Sequence, residues 1–451
     1  MAGNRLRGTV VAALCAGYFL VLLDVTVVNV ALPRIGRDLG ADGAGTAWVV
    51  DGYTVPLAAL LLAAGTLGDR IGHRRVVLLG LAGFGTASAV CATAPVIGVL
   101  IAARALAGVA AALMLPGTLA LLVRCARDDA GRNRLVGLWA AVGGAALPAG
   151  PVLGGVLVEF AGWRSVFWLA VPVTALAVLP VLRLDHDEPY GTAASVNWLA
   201  AVLLVGALTL LVTAVLQAAT APLLATGSAA AAAAALVIFR RVDRRADRRL
   251  LPVPARARRP LGSATLAAGL MNLRALGGLF LLTQLLQDRQ RLSPLAAGLI
   301  TLPAMLPLPL LGRPAGRLVT RIGVWRGCAA GAGVAAAGMA GTAAVVGSAA
   351  EPLRPAGYLT LCGCLAVWGC GLGLLTPAVV AAALRAVPEA PGLASGASNT
   401  ARQTGGALGI ALFAAVAGPS FAPDFAVRTA VLFAVGAVVL GSVALVASCQ
   451  K

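Results

Sequence analysis

An aspartate stands in the middle of an unbroken apolar run, Leu23-Asp24-Val25-Thr26-Val27-Val28-Asn29-Val30-Ala31-Leu32-Pro33. If the run crosses a bilayer, holding a carboxylate there costs about 2.5–3.5 kcal/mol, so Asp24 faces the interior of a helix bundle and has a task. A carboxyl in that setting can take up and release a proton as its surroundings change, or it can be half of a fixed ion pair. The candidate partner is Arg104, in a later apolar run with Gly108 one turn on along the same face. At about 1.5 Å per residue, Asp24 lies roughly 13 Å from the outer end of its helix, and Arg104 roughly 12 Å from the outer end of its own. Opposite charges at equal depth are natural partners. Asp51 lies nearer the outer surface, roughly 8 Å in. There it can meet a cationic substrate or mark where its helix leaves the headgroups.

Three further groups carry polarity or flexibility into apolar runs. In Asn399-Thr400-Ala401-Arg402-Gln403-Thr404-Gly405-Gly406-Ala407-Leu408-Gly409, the residues Asn399, Arg402, Gly405, Gly406 and Gly409 share one helical face. Arg402 therefore points along a small-residue seam into the bundle. Arg274 sits near mid-membrane without an acidic neighbour, where it can bind substrate or cap the carbonyls of a bent helix. An earlier helix carries Gly143, Gly144, Pro148, Gly150, Pro151, Gly154 and Gly155. Small residues let helices approach closely and proline permits bending, so that helix is read as one that moves. Asp51, Asn29, Arg274, Asn399, Arg402 and Gln403 are the candidates for substrate contact. Gly369-Cys370-Gly371-Leu372-Gly373 follows no strand and lies in an apolar run, so it is read as packing and not as a nucleotide loop.

These residues need helices that cross a membrane to position them. Of 451 residues 60% are hydrophobic and only 12% charged, with a mean hydropathy of +0.92. That is about half the charge of a soluble globular protein, too little to coat a water-facing surface of this size. The apolar blocks are roughly 20 residues long, enough to span, and only helices satisfy their backbone in lipid without strand edges. About fourteen spans are expected, near 9–33, 46–66, 76–93, 96–123, 135–158, 164–183, 196–217, 222–240, 262–287, 295–318, 326–347, 357–384, 394–417 and 427–448. The eighth is the weakest, since its middle is an alanine run from Ala229 to Ala235. The first run continues to Ala31 without a small-x-small cleavage site, so it reads as a retained helix and not as a signal peptide.

The net charge of +18 would suit nucleic acid, but the basic residues sit mostly in short loops between apolar blocks. With both termini inside, 25 of the 35 basic residues fall on the inner side and 7 on the outer. The remaining three, Arg104, Arg274 and Arg402, lie within spans. A bias this steep places both ends in the cytoplasm and removes the need for a nucleic-acid partner. The longest loop, from Arg240 to Pro260, holds nine Arg with Asp243 and Asp247, and is read as a linker lying on anionic lipid. Eight Cys, none in an outer loop, imply no disulfide framework. Cys362, Cys364 and Cys370 share one apolar helix with no His near, which favours packing over metal. Both His, His73 and His186, fall in loops, and no Ser-His, Cys-His or clustered-acid arrangement suggests an enzyme.

A repeat divides the chain. Gly65-Thr66-Leu67-Gly68-Asp69-Arg70-Ile71-Gly72 and Gly316-Arg317-Leu318-Val319-Thr320-Arg321-Ile322-Gly323 both read G-x-L-x-x-R-I-G after corresponding helices, with Thr320 in the place of Asp69. Internal repeats around a central path are the build of alternating-access transporters. The expected domains are 1–190, a six-helix bundle, then 191–260, two accessory helices and the basic linker, and 261–451, a second six-helix bundle.

In these features the chain resembles the fourteen-helix drug:proton antiporters of the major facilitator superfamily. The segment from Leu23 to Pro33 looks like that family's first-helix signature. The loop from Gly65 to Arg75 is similar to its cytoplasmic gating motif, with Gly65, Asp69, Arg70, Gly72 and Arg74 at matching places and Asp69 as a charged latch. Arg104 and Gly108 match the fourth-helix motif implicated in proton transfer, with Ala107 where Gln is usual. Gly150, Pro151, Gly154 and Gly155 match the antiporter motif of the fifth helix, with Ala146 where Gly is usual. Ala170 stands where Asn commonly precedes the Val-Pro of helix 6, and Asn399 to Gly409 resembles the thirteenth-helix segment. The resemblance implies an all-α membrane protein of the major facilitator fold, exporting drugs, antibiotics or secondary metabolites in exchange for protons. Asp24 and Arg104 are then the proton-coupling residues, and the matched glycines and charges the gate. Transport of an ordinary metabolite is the alternative, and the fifth-helix pattern argues against uptake. A membrane-embedded enzyme is more distant. No G-x-x-x-x-G-K-[ST] loop occurs and the sole Lys is Lys451, so no ATP or other cofactor is expected and the proton gradient supplies the energy. The expected partners are a small-molecule substrate, protons and membrane lipid, for a monomer in the cell membrane.

Overall fold

The structure, a computed structural model, describes residues 2–126, 128–184, 197–218, 220–246, 249–250, 253–348, 353–388, 390–420 and 422–449. Within them the chain is helical, with no strand. The helices are α1 Ala2–Leu39, α2 Gly43–Ile71, α3 His73–Thr93, α4 Ile97–Arg124 and α5 Asp129–Ala161. Next come α6, in two pieces, Arg164–Trp168 and Ala170–Leu182, then α7 Trp198–Gln217, α8 Pro222–Arg245 and α9 Arg258–Gln284. The last are α10, again in two pieces, Pro294–Met305 and Pro307–Ile322, α11 Val324–Gly347, α12 Pro355–Ala386, α13 Pro391–Ala417 and α14 Phe425–Cys449.

Every expected span is occupied by a helix. Thirteen helical segments among the described residues are long and apolar enough to cross a membrane. The segment outside that set is α13, 27 residues long, whose run from Asn399 to Gln403 lowers its apolar character. Most helices outrun their expected bounds, because they continue past the apolar window into charged turns, as α2 does to Ile71 through Asp69 and Arg70. The break in α10 falls at Leu306, where Pro303, Pro307 and Pro309 crowd a stretch of helix with residues that lack an N–H. His186 and the expected boundary at 190 lie outside the described residues, as does Asp247.

The packing repeats with a period of eight helices. α1 packs on α5, α2 on α4, and α3 on α4 and α6; correspondingly α9 packs on α13, α10 on α12, and α11 on α12 and α14. The two largest contacts between the sets, α5 to α10 and α2 to α13, exchange under the same repeat. α7 lies across one of these junctions, touching both α2 and α13, while α8 packs mainly on α7 and leaves Leu223 and Leu224 outward. The repeated loop is the same backbone twice. Gly72 and Gly323 have φ of 92° and 96°, and each donates its N–H to the carbonyl four residues back, at 3.0 Å in both cases. A side chain is strained at such a φ, which is why glycine ends both helices.

Candidate functional site

Asp24 and Arg104 meet. Arg104 Nη1 donates to Asp24 Oδ2 at 2.6 Å, and Nε donates to the Val49 carbonyl of α2 at 2.9 Å. The guanidinium carbon lies 4.4 Å from the centroid of the Tyr53 ring and 5.8 Å from that of Phe167. Tyr53 is itself tied to α1 by its hydroxyl, which donates to the Val21 carbonyl at 2.9 Å. Arg104 has no exposed surface, and its Nη2 has no hydrogen-bond partner. Gly108 permits this convergence: a Cβ there would stand 2.2 Å from the Tyr53 carbonyl oxygen, so α4 and α2 touch backbone to backbone. A buried pair is held only when geometry and extra hydrogen bonds offset its desolvation. Here a charge-assisted bond, a carbonyl and two aromatic faces do so.

The fifth-helix glycines form two adjacent seams on α5. Gly150 and Gly154 face α1, where a Cβ would meet Thr26 and the Val27 carbonyl. One residue round, Gly144 and Gly155 face α10, with a Cβ on Gly155 placed 2.7 Å from Leu295 Cα. Pro151 joins the second seam, its carbonyl set against Gly298. Hydrogen bonds tie α1 and α5 to the later helices at the end of the bundle that holds the α1–α2 turn. The Leu295 N–H donates to Glu159 Oε2 at 3.0 Å, and Gln287 Nε2 donates to the Val30 carbonyl at 2.9 Å. Gln287 escaped the sequence reading. Its signal was one of three amides, Gln284, Gln287 and Gln290, near the end of an apolar helix, and it lies inside a π turn (Leu285–Arg289) that sequence does not announce.

The proposed substrate contacts are not one cluster. Asp51 is fully buried, so it does not mark the exit of α2 into headgroups; Thr54 donates to its Oδ1 at 3.2 Å and Oδ2 is unpartnered. Asn29 donates to the Val25 carbonyl and keeps a free buried Oδ1. Arg274 lies with its guanidinium carbon 5.6 Å from the Phe413 ring centroid, beside Gly436, and faces no carboxylate among the described residues. On α13 the shared face divides. Gly405 and Gly409 sit against the Gly269 and Leu273 carbonyls of α9, while Arg402 lies within electrostatic reach of Tyr18 on α1. Asn399 is half-buried and Gln403 buried.

At the opposite end, Gly65, Asp69, Arg70, Gly72 and Arg74 have separate contacts. Asp69 is exposed and lies 3.2 Å from His73 Nε2, not paired with an arginine. Arg70 is exposed, and Gly65 comes nearest Pro116 of α4. Arg74 donates to the Val181 and Leu182 carbonyls at 3.1 and 2.6 Å, capping α6 with a positive charge. Asp69 is thus exposed, with its contact made one turn along its own chain segment. If Asp69 acts as the charged latch that the motif implies, Asp69→Asn is expected to slow turnover several-fold while the protein inserts normally. Normal transport by well-expressed Asp69→Asn protein would reduce Asp69 to a local partner of His73.

The helical repeat and the buried pair at mid-bundle define a multi-pass membrane transporter fold. The sequence profile of the Major Facilitator Superfamily matches residues 14–410, and the chain belongs to that superfamily. It is 36% identical over 302 residues to the methylenomycin A resistance protein of Bacillus subtilis, covering 66% of this chain and 64% of that protein. It is 35% identical over 386 residues to the puromycin resistance protein pur8 of Streptomyces alboniger, covering 84% and 76%. The first match thus spans less than two thirds of that relative's length. Among solved structures, a POT family transporter in complex with 5-aminolevulinic acid superimposes with a TM-score of 0.70 at 13% identity, covering 97% of this chain and 94% of that one. At that identity the likeness speaks for the fold.

Proposed function

We propose that this protein is a proton-driven antiporter of the cell membrane that exports drugs, antibiotics or secondary metabolites. The observation that carries the reading is the Asp24–Arg104 pair, a carboxylate buried where only a bundle interior makes it tolerable. The relatives, resistance proteins for methylenomycin A and puromycin, support export over uptake. Asp24 carries the proton and Arg104 tunes how firmly it is held. The six helices on either side of α7 and α8 rock against each other, and α5 slides between α1 and α10. With both termini in the cytoplasm, the α1–α2 end is external, and the hydrogen bonds from Leu295 to Glu159 and from Gln287 to Val30 close it. The conformer described then faces inward.

Two measurements test this. A reporter fused after Lys451 is expected to be active only inside the cell, and activity outside would invert every assigned depth. Inverted vesicles carrying the protein are expected to accumulate a drug when the lumen is acidified, and to lose it when a protonophore collapses the gradient. Accumulation unaffected by the protonophore would remove the proton from the cycle.

A further inference from the structure

Three arginines lie inside spans, and only two acids, Asp24 and Asp51, share that depth in the bundle. Asp24 is committed to Arg104. An arginine left over in a membrane interior calls for an anion, since an uncompensated charge there is costly. Arg402 has the surroundings to receive one. Its Nε is buried without a hydrogen-bond partner, and among the described residues it pairs with no carboxylate. It lies within electrostatic reach of Tyr18, which belongs to the opposite set of helices.

Tyr18 is half of a flat platform. Its ring stacks on Trp139 with centroids 3.7 Å apart and planes 11° from parallel. One turn after Trp139 on α5, Gly143 leaves room for the tyrosine, because a Cβ there would stand 2.4 Å from the ring. The indole Nε1 of Trp139 is also buried with no partner. One unmatched donor thus belongs to the stacked pair and a second, charged one lies within electrostatic reach of its tyrosine, and indole and guanidinium nitrogens can only donate.

We infer that Tyr18, Trp139 and Arg402 form a subsite for flat aromatic anions, compounds that stack on the ring pair and offer a carboxylate, phenolate or enolate to the two donors. This rests on the export reading and adds a substrate class to it. The subsite has Tyr18 and Trp139 from α1 and α5 on one side and Arg402 from α13 on the other, so it forms where the helix sets meet and loosens when they part.

The test uses purified full-length protein in nanodiscs, with anthracene-2-carboxylate and its neutral isostere 2-(hydroxymethyl)anthracene as probes. Energy transfer from tryptophan to anthracene reads binding. Wild type is expected to bind the carboxylate about tenfold more tightly than the alcohol, and a roughly tenfold rise in salt should weaken only the carboxylate. Arg402→Gln should erase the preference by weakening the carboxylate alone, Arg402→Lys should restore part of it, and Trp139→Leu should weaken both probes. Equal affinities, no binding, or a preference unchanged in Arg402→Gln would each overturn the subsite. If the Gln variant does not elute as a single species, the Lys variant and the salt response decide. Vesicle transport of an unrelated drug separates the two ideas. Gradient-driven transport without the carboxylate preference sinks the subsite alone, whereas the preference without transport sinks the export reading.

Discussion

Vesicles carrying Asp24→Asn protein are expected to exchange drug passively and never to build a gradient, their accumulation ratio falling to about 1. Export against a gradient requires a group whose protonation is linked to conformation, so that each state holds the proton differently. A difference of one pKa unit between states amounts to about 1.4 kcal/mol of coupling, so a small change in the 2.6 Å contact with Arg104 is enough. Asparagine cannot titrate. It also leaves Arg104 buried without its counter-ion, a loss of about 3–5 kcal/mol when one partner is removed. The double variant Asp24→Asn/Arg104→Gln removes both charges and separates a folding defect from a coupling defect. If either variant at normal protein level still drives uphill transport, the proton travels elsewhere and the pair is architecture.

The second large effect is expected from one methyl group. In Gly155→Ala the new carbon would stand 2.7 Å from Leu295 Cα and 3.0 Å from the Pro294 carbonyl, and both obstacles are backbone. Overpacking of this kind costs about 1–3 kcal/mol, which shifts a two-state balance by about 5- to 150-fold. If the α5–α10 contact closes the external end, the variant should favour the opposite state and slow transport by at least about tenfold. Gly137→Ala on the same helix is the control, since nothing lies within 4 Å of its added carbon. Equal rates for the two variants would mean that the contact takes no part in the cycle.

The helices were legible because lipid admits so few alternatives. Apolar length and the need to satisfy every backbone group found all fourteen, and equal depth along two helices found Asp24 and Arg104. What stayed hidden depends on rotation about the helix axis and on long-range approach. Periodicity put Arg402 on one face with Gly405 and Gly409, yet those glycines pack on α9 while the arginine reaches towards α1. Asp51 was placed by counting from a helix end that lay further out than the apolar window suggested, and the structure buries it fully. Asp69, matched to a charged latch by resemblance, contacts His73 one turn away, a local partner that the motif does not name. Tyr18 and Trp139 carry no sequence signal, because an aromatic in an apolar run looks like any other core residue until its partner is seen.

Gly72 and Gly323 turn the chain in the same way, but the residues three before them differ. Asp69 projects a charge, while Thr320 spends its hydroxyl on the Arg317 carbonyl at 2.7 Å. Mechanically the two hinges are twins; electrically only one of them is armed. Dissolved ions can therefore reach and soften the first hinge and find no such acid to act on at the second. A machine whose frame repeats itself thereby acquires a preferred hand, set by which copy of the turn keeps its acid.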